Sequence, residues 1–224
     1  MDQVEKVRIL ERIYKDVVFA IIRTSSAESA LSAARTVIDT GIQVLEISLN
    51  TPFALKVIKT LSEQFSDSPH VIVGAGTVID SAMASLVIDA GAQFIVSPII
   101  DINIIKTGNR HGIPVIPGIA TPTELLLAME MGAEVVKGFP GAVLGTEFIK
   151  SLGGPLPQAR VIPVGNVGKN NLIKWLDNGA YALGIGSDIT HLNGLEGDEF
   201  HIKENVAEIL RIVDVERRRR CRNA

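Results

Sequence analysis

The sequence predicts a single-domain (β/α)8 barrel over residues 1–224, with an extra helix at its N-terminus. Three observations carry this. First, four segments repeat one unit: Asp39-Thr40-Gly41-Ile42-Gln43-Val44, Asp89-Ala90-Gly91-Ala92-Gln93-Phe94, Glu130-Met131-Gly132-Ala133-Glu134-Val135 and Asp177-Asn178-Gly179-Ala180-Tyr181-Ala182. Each reads as a helix end, a glycine that tolerates the left-handed closing conformation, and the start of a buried apolar strand. Second, filling the gaps gives eight apolar runs whose starts recur about every 20–28 residues, the size of a βα unit. Third, hydrophobic residues make up 46% of the chain but aromatics only 4%. A core of Val, Ile, Leu and Ala suits a parallel sheet buried on both faces.

The elements follow in order. A leading helix is expected over 2–14. Strands are expected over 17–23, 43–49, 71–75, 93–97, 113–117, 134–138, 160–165 and 181–186. Amphipathic stretches over 27–39, 52–65, 80–90, 101–110, 121–131, 145–152 and 168–177 alternate with them, and a final helix covers 203–219. Thr51-Pro52 and Thr121-Pro122 each place a capping hydroxyl before a first-turn proline, and Glu124 stands at capping-box spacing from Thr121. Eight units with no leftover strand favour the closed barrel; an open doubly wound sheet is the competing architecture. No linker or composition shift divides the chain.

Composition narrows the function classes. A net charge of −3 gives no global field for nucleic acid. The one basic cluster, Arg217 to Arg220 with Arg222, reads as a solvated helix end. Cys221 is the only cysteine, which excludes an internal disulfide and fits a reduced, cytoplasmic setting. The N-terminus lacks a signal-peptide pattern, and no apolar stretch approaches the ~18 residues of a membrane span. The low aromatic content singles out no interface patch.

In a barrel the chemistry belongs at the C-terminal ends of the strands. Those ends here are rich in Gly, Ser, Thr and Pro. Of ten lysines, only Lys137 falls in a strand. Strand parity puts it on the same face as Val135. If that face is the interior, desolvation lowers the lysine pKa, and a neutral amine attacks carbonyls to form a Schiff base. A rim lysine snorkelling into a polar loop is the alternative. Glu46 interrupts Val44-Leu45-Glu46-Ile47, where an unpaired carboxylate costs several kcal/mol. It reads either as an ion-pair partner of Arg23 or Lys137, or as the acid that shuttles protons in imine chemistry. Glu134 reads as surface decoration at the opposite rim. Gly165-Asn166 and Gly184-Ile185-Gly186-Ser187 close the last two strands, where this fold often cradles phosphate. His70, His111, His191 and His201 match no metal spacing and read as surface or helix-end residues; Trp175 has no argued role.

The combination Leu45-Glu46-Ile47-Ser48-Leu49-Asn50-Thr51-Pro52, Gly74-Ala75-Gly76-Thr77-Val78, Ser97-Pro98, Ile116-Pro117-Gly118, Lys137-Gly138-Phe139-Pro140 and Gly153-Gly154-Pro155 resembles the 2-keto-3-deoxy-6-phosphogluconate / 4-hydroxy-2-oxoglutarate aldolase family. The resemblance runs from about residue 17 to 190 in the same order and spacing. It implies a cytoplasmic, metal-free class I aldolase on a (β/α)8 barrel, usually a homotrimer, with no cofactor beyond a covalent Schiff base. It also implies roles: Lys137 as the Schiff-base lysine and Glu46 as the proton-transferring acid. Thr77 and Pro98 would line the pyruvate pocket, Phe139 would stand beside the lysine, and Gly165 and Ser187 would hold phosphate. The implied partners are a small 2-keto acid and a phosphorylated aldehyde, with no nucleic acid and no membrane.

Departures exist. Asn50 stands where the gluconate branch usually has arginine. Asn50 and Val164 look more like the 6-phosphogalactonate branch, in which an arginine ending strand 1, here Arg23, accompanies the asparagine. Asn166 replaces a glycine of both branches. Another phosphate-binding barrel enzyme and a non-catalytic sugar-phosphate-binding barrel stay open as alternatives.

Overall fold

The computed structural model describes residues 3–192 and 194–223, with the side chains of 3, 4, 192 and 220–223 left aside. Arg220, Cys221 and Arg222 of the sequence reading therefore lie outside the described side chains. The chain opens with helix α1 (Gln3–Asp16). It continues through β1 (Val18–Ile22), α2 (Ala27–Thr40), β2 (Val44–Ser48), α3 (Ala54–Gln64), β3 (Ile72–Gly76), α4 (Ser81–Asp89), β4 (Ile95–Val96) and α5 (Ile102–His111). Next come β5 (Val115–Ile116), β6 (Gly118–Ile119), α6 (Pro122–Glu130), β7 (Val136–Gly138), α7 (Gly141–Leu144), α8 (Glu147–Leu152), β8 (Val161–Pro163), α9 (Leu172–Asp177) and β9 (Leu183–Ile185). Helix α10 (Ser187–Thr190), the hairpin β10 (His191–Leu192) and β11 (Leu195–Glu196), and helix α11 (Glu199–Asn223) complete it.

All strand pairs from β1 to β9 are parallel, in the order β5-β4-β3-β2-β1-β9 and β6-β7-β8. β5 and β6 are two halves of one barrel strand, separated at Pro117, whose missing N–H cannot join a ladder. A bridge between Val164 and Gly184 joins β8 to β9 and closes the ring. The eight predicted strands are thus the eight staves of a (β/α)8 barrel.

Alternation sorts the core. Val18, Ala20, Ile22, Leu45, Ile47, Val73, Ala75, Ile95, Val136, Val161, Leu183 and Ile185 pack outward against the helices. Phe19, Ile21, Val44, Ile72, Phe94, Val96, Ile116, Val135, Ile162 and Val164 fill the interior. Ile9, Leu10 and Ile13 of α1 belong to that interior cluster. Arg8 donates to the Pro69 carbonyl, Arg12 to Gln43, and Tyr181 donates to the Leu10 carbonyl, so α1 plugs the N-terminal mouth of the barrel. Glu134 sits at this rim and pairs with Lys6 at 2.9 Å, consistent with its reading as surface decoration.

Helix starts correct two details. Thr121 caps α6 as expected, accepting from the Glu124 N–H at 3.2 Å. Thr51 does not cap α3. It is buried and accepts from the Thr24 N–H at 3.4 Å, while Phe53, in the left-handed region at φ 56°, precedes the helix. The helix expected from 168 begins at Leu172, because the Asn171 side chain turns back to accept from the Gly168 N–H at 3.0 Å.

Candidate active site

A cavity of about 370 Å³ opens at the C-terminal ends of the strands. It is lined by Arg23 after β1, Glu46 in β2, Thr77 after β3, Pro98 after β4 and Lys137 in β7. Phe139, Gly165 and Ser187 complete the predicted set that lines it. The opposite mouth is filled by Ile9, Leu10 and Ile13 of α1.

Val135 is in the interior cluster and Lys137, two residues on, faces the cavity from the same side. Lys137 is 6% exposed and Glu46 2% exposed. Lys137 Nζ stands 4.7 Å from the centroid of the Phe139 ring. Burial pushes the lysine below its ordinary value; Glu46 opposes that shift and Arg23 adds to it. Burial likewise pushes the Glu46 carboxyl up to about 7, against the pull of Lys137 and Arg23. Desolvation therefore drives both groups toward their neutral forms. Glu46 Oε2 is buried and has no hydrogen-bond partner among the described residues. A buried carboxyl oxygen without a partner, on the wall of a cavity, awaits one from a bound molecule or water.

Glycine at position 76 makes room for this acid. A Cβ there would lie 2.5 Å from Glu46 Oε1. The next residue, Thr77, is held at φ 62°, a costly conformation for a β-branched residue. Its hydroxyl lies 2.9 Å from Ser48 Oγ. Ser48 was not singled out in the sequence, yet it is fully buried and joins the site together. It accepts from Arg23 Nε at 3.4 Å and donates to Asn50 Oδ1 at 3.3 Å. Its only sequence signal is parity, since it points inward two residues after Glu46. Asn50 does not line the cavity; it reaches the site through Ser48.

Arg23 forms no ion pair with Glu46 within 4.0 Å, so its guanidinium is not consumed in neutralising the acid. The far wall is built from Gly165, Asn166, Gly186, Ser187, Thr190 and His191. Gly165 and Asn166 have positive φ, at 91° and 57°. Asparagine is among the few residues that enter this region readily, which is why it can stand in place of glycine. His191 is a helix-end residue, as expected, since it caps the C-terminus of α10, and from there it also lines the cavity. Spacing to other histidines carried no sign of this cavity position; its place six residues past β9 did. Among the described residues, no group of three His, Cys, Asp or Glu side chains is placed to hold a metal ion.

Residues 9–209 match the family described as KDPG and KHG aldolase. The chain belongs to this family. A 2-dehydro-3-deoxy-6-phosphogalactonate aldolase from Escherichia coli K12 is 36% identical over 171 residues, covering 76% of this chain and 82% of the relative. A solved native KDPGal structure superposes with a TM-score of 0.82 at 31% identity, over 90% of this chain and 96% of its own. The KDPG aldolase of Legionella pneumophila, captured with pyruvate as a covalent carbinolamine, gives a TM-score of 0.76 at 31% identity, over 91% and 95%.

Proposed function

We propose that this protein is a cytoplasmic class I aldolase that cleaves a 2-keto-3-deoxy-6-phospho sugar acid to pyruvate and glyceraldehyde 3-phosphate, with Lys137 as its Schiff-base residue. The observation that carries the assignment is a strand lysine and an unpartnered acid, both buried on one cavity wall and both pushed toward neutrality.

The neutral Lys137 amine attacks the C2 carbonyl carbon, giving a carbinolamine. Loss of water, with a proton delivered to the departing hydroxyl by Glu46, leaves an iminium. The C4 hydroxyl then gives its proton to the Glu46 carboxylate, directly or through water, the C3–C4 bond breaks, and its electron pair flows into the iminium to form an enamine and free aldehyde. Glu46, directly or through water, returns a proton to C3. Hydrolysis releases pyruvate and restores the amine. The iminium supplies the positive charge that stabilises the enamine, so this sequence calls for no metal.

Arg23 orients the substrate carboxylate, because a guanidinium binds carboxylate with two parallel hydrogen bonds. Thr77 and Pro98 shape the pyruvate pocket and Phe139 shields the amine. Gly165 and Ser187 receive the phosphate. A galactonate-type substrate is the second reading, favoured by Arg23 and Asn50 joined through Ser48. A 4-hydroxy-2-oxoglutarate activity is compatible with the same pyruvate half. The working assembly is a homotrimer, supported by an apolar groove between α3 and α4.

Borohydride with pyruvate tests the assignment. A lactyl-sized mass should appear on the Lys137 peptide. Labelling at another lysine, or none in active protein, refutes it.

A further inference from the structure

The cavity has two ends of different chemistry. Lys137, Glu46 and Arg23 crowd the pyruvate end, where both buried groups feel the Arg23 charge. The distal wall carries no lysine, arginine, aspartate or glutamate among its lining residues; it offers Asn166, Ser187, Thr190 and His191. Among the described residues that line this wall, His191 is the only ionisable side chain.

Its ring is fixed in place. Thr190 is 2% exposed, and its Oγ1 lies 2.9 Å from His191 Nδ1 and 3.3 Å from the Gly186 carbonyl oxygen. With the Thr190 hydroxyl turned to Nδ1, the shorter of its two contacts, a neutral ring carries its proton on Nε2, which has no partner among the described residues. The backbone is fixed too. β10 pairs with β11, His191 opposite Glu196, and the Glu196 carboxylate accepts from both the N–H and the hydroxyl of Ser25 after β1.

The charged neighbours are occupied elsewhere. Glu196 is held by Ser25. Asp188 Oδ2 accepts from the Lys169 N–H at 2.7 Å. Lys169 Nζ donates to Asn205 at 3.0 Å and pairs with Glu208 at 3.0 Å. That leaves an imidazole nitrogen, a hydroxyl and an amide on a wall that no carboxylate lines, a donor set suited to an oxyanion with several acceptor oxygens.

We propose that His191 is a specificity-determining residue that donates from Nε2 to the terminal phosphate monoester of the aldehyde half. This rests on the aldolase reading above and adds to it a residue that the family pattern in the sequence did not single out. Thr190 is its positioning residue, holding the ring through Nδ1.

The test uses the synthesis direction at saturating pyruvate, with glyceraldehyde 3-phosphate, glyceraldehyde and glyoxylate as acceptors. His191→Phe keeps the ring and removes the donor. KM for glyceraldehyde 3-phosphate should rise roughly tenfold or more, the scale of a charge-assisted hydrogen bond, with kcat and the KM of glyceraldehyde within about twofold. His191→Gln, whose amide can donate from a similar position, should recover part of the loss. Borohydride trapping of pyruvate should match wild type in both variants. Equal effects on both glyceraldehydes, or reduced trapping, would make His191 merely structural and overturn the proposal. An effect confined to glyoxylate would also overturn it, because the anion read would then be a carboxylate. Calorimetry with glycerol 3-phosphate separates this proposal from the aldolase reading, since it needs no turnover. Wild type should bind it and His191→Phe bind it at least roughly tenfold less well; equal binding sinks the proposal even if Lys137 is trapped as expected.

Discussion

Burial acts on Glu46 and Lys137 in opposite directions with one chemical result. The acid is pushed up to about 7 and the amine below its ordinary value, so burial favours the proton-donor form of one and the nucleophilic form of the other in a single cavity. Glu46→Gln keeps the shape and removes the exchangeable proton; kcat should fall by roughly 10²–10⁴, and near-wild-type turnover would reduce Glu46 to a packing residue. The same variant carries a stability signature. The folded pKa of Glu46 exceeds the ordinary 4.5, so the folded state binds more protons between about pH 4.5 and 7. Its contribution is full below pH 4.5 and is lost as pH rises through 7, a swing on the order of 3 kcal/mol. Melting scans should therefore show Glu46→Gln gaining on wild type from pH 4.5 to 8; parallel curves would contradict the shift. Arg23 gives a different signature. Arg23→Ala should weaken pyruvate binding by roughly 1.5–3 kcal/mol, Arg23→Lys should recover part, and Asn50→Arg should partly rescue the loss. Unchanged pyruvate affinity with a slowed chemical step would retire the anchor role. At this scale Lys137 and Glu46 were legible because a charge inside an apolar strand stands out against its neighbours. Ser48 and His191 were not, because a serine costs little anywhere and a lone histidine carries no pattern until the fold places it.

Periodicity located the barrel strands and the principal helices because each buries one face, and burial writes a repeat into the sequence. The hairpin β10–β11 has two-residue strands, and the side chains of Leu195 and Glu196 are exposed, so no repeat marks it. The start of α3 was misplaced for a related reason: Thr51-Pro52 has capping chemistry, but burying Thr51 against Thr24 outweighs it. Helix α1 was read correctly as a helix, yet its role emerged only from closure of the ring. Ile9, Leu10 and Ile13 enter the barrel from below and complete the interior cluster beneath the site. Ile9 is fully buried, so Ile9→Ala should cost roughly 2–5 kcal/mol. At about 2–4 °C per kcal/mol for a chain of this size, the fall should be clear in a melting curve. Because α1 occupies the mouth opposite the cavity, kcat measured well below the melting temperature should stay within about twofold. An unchanged Tm would show that α1 is dispensable; a large loss of kcat in folded protein would show that the plug also positions the chemistry above it.

At the scale of the whole molecule, an apolar groove lies beside the segment that follows β2. Low aromatic content singled out no interface patch; in the structure Phe53 is 77% exposed and Leu86 54% exposed. Together with Leu49, Ala54, Leu55 and Met83 they line a groove of about 480 Å³. An exposed apolar groove of this kind is where the proposed homotrimer would pack. The groove also touches the site, since Leu49 lies between Ser48 and Asn50. A second copy of the chain seated there would cover Phe53 and press on the segment that carries the Ser48 bonds to Arg23, Thr77 and Asn50. The proposed homotrimer thus links assembly to the pyruvate end of the cavity. Leu86→Arg tests the link. The side chain is exposed in the single chain, so the variant should fold with unchanged circular dichroism. Within an interface the guanidinium would be desolvated without a partner, a cost large enough to disrupt assembly. Light scattering should read three chains for wild type and one for Leu86→Arg, with kcat/KM lowered in the monomer. Val215→Arg, at a 59% exposed position on α11, should remain trimeric. A trimeric Leu86→Arg would place the interface elsewhere, and a fully active monomer would separate assembly from the site.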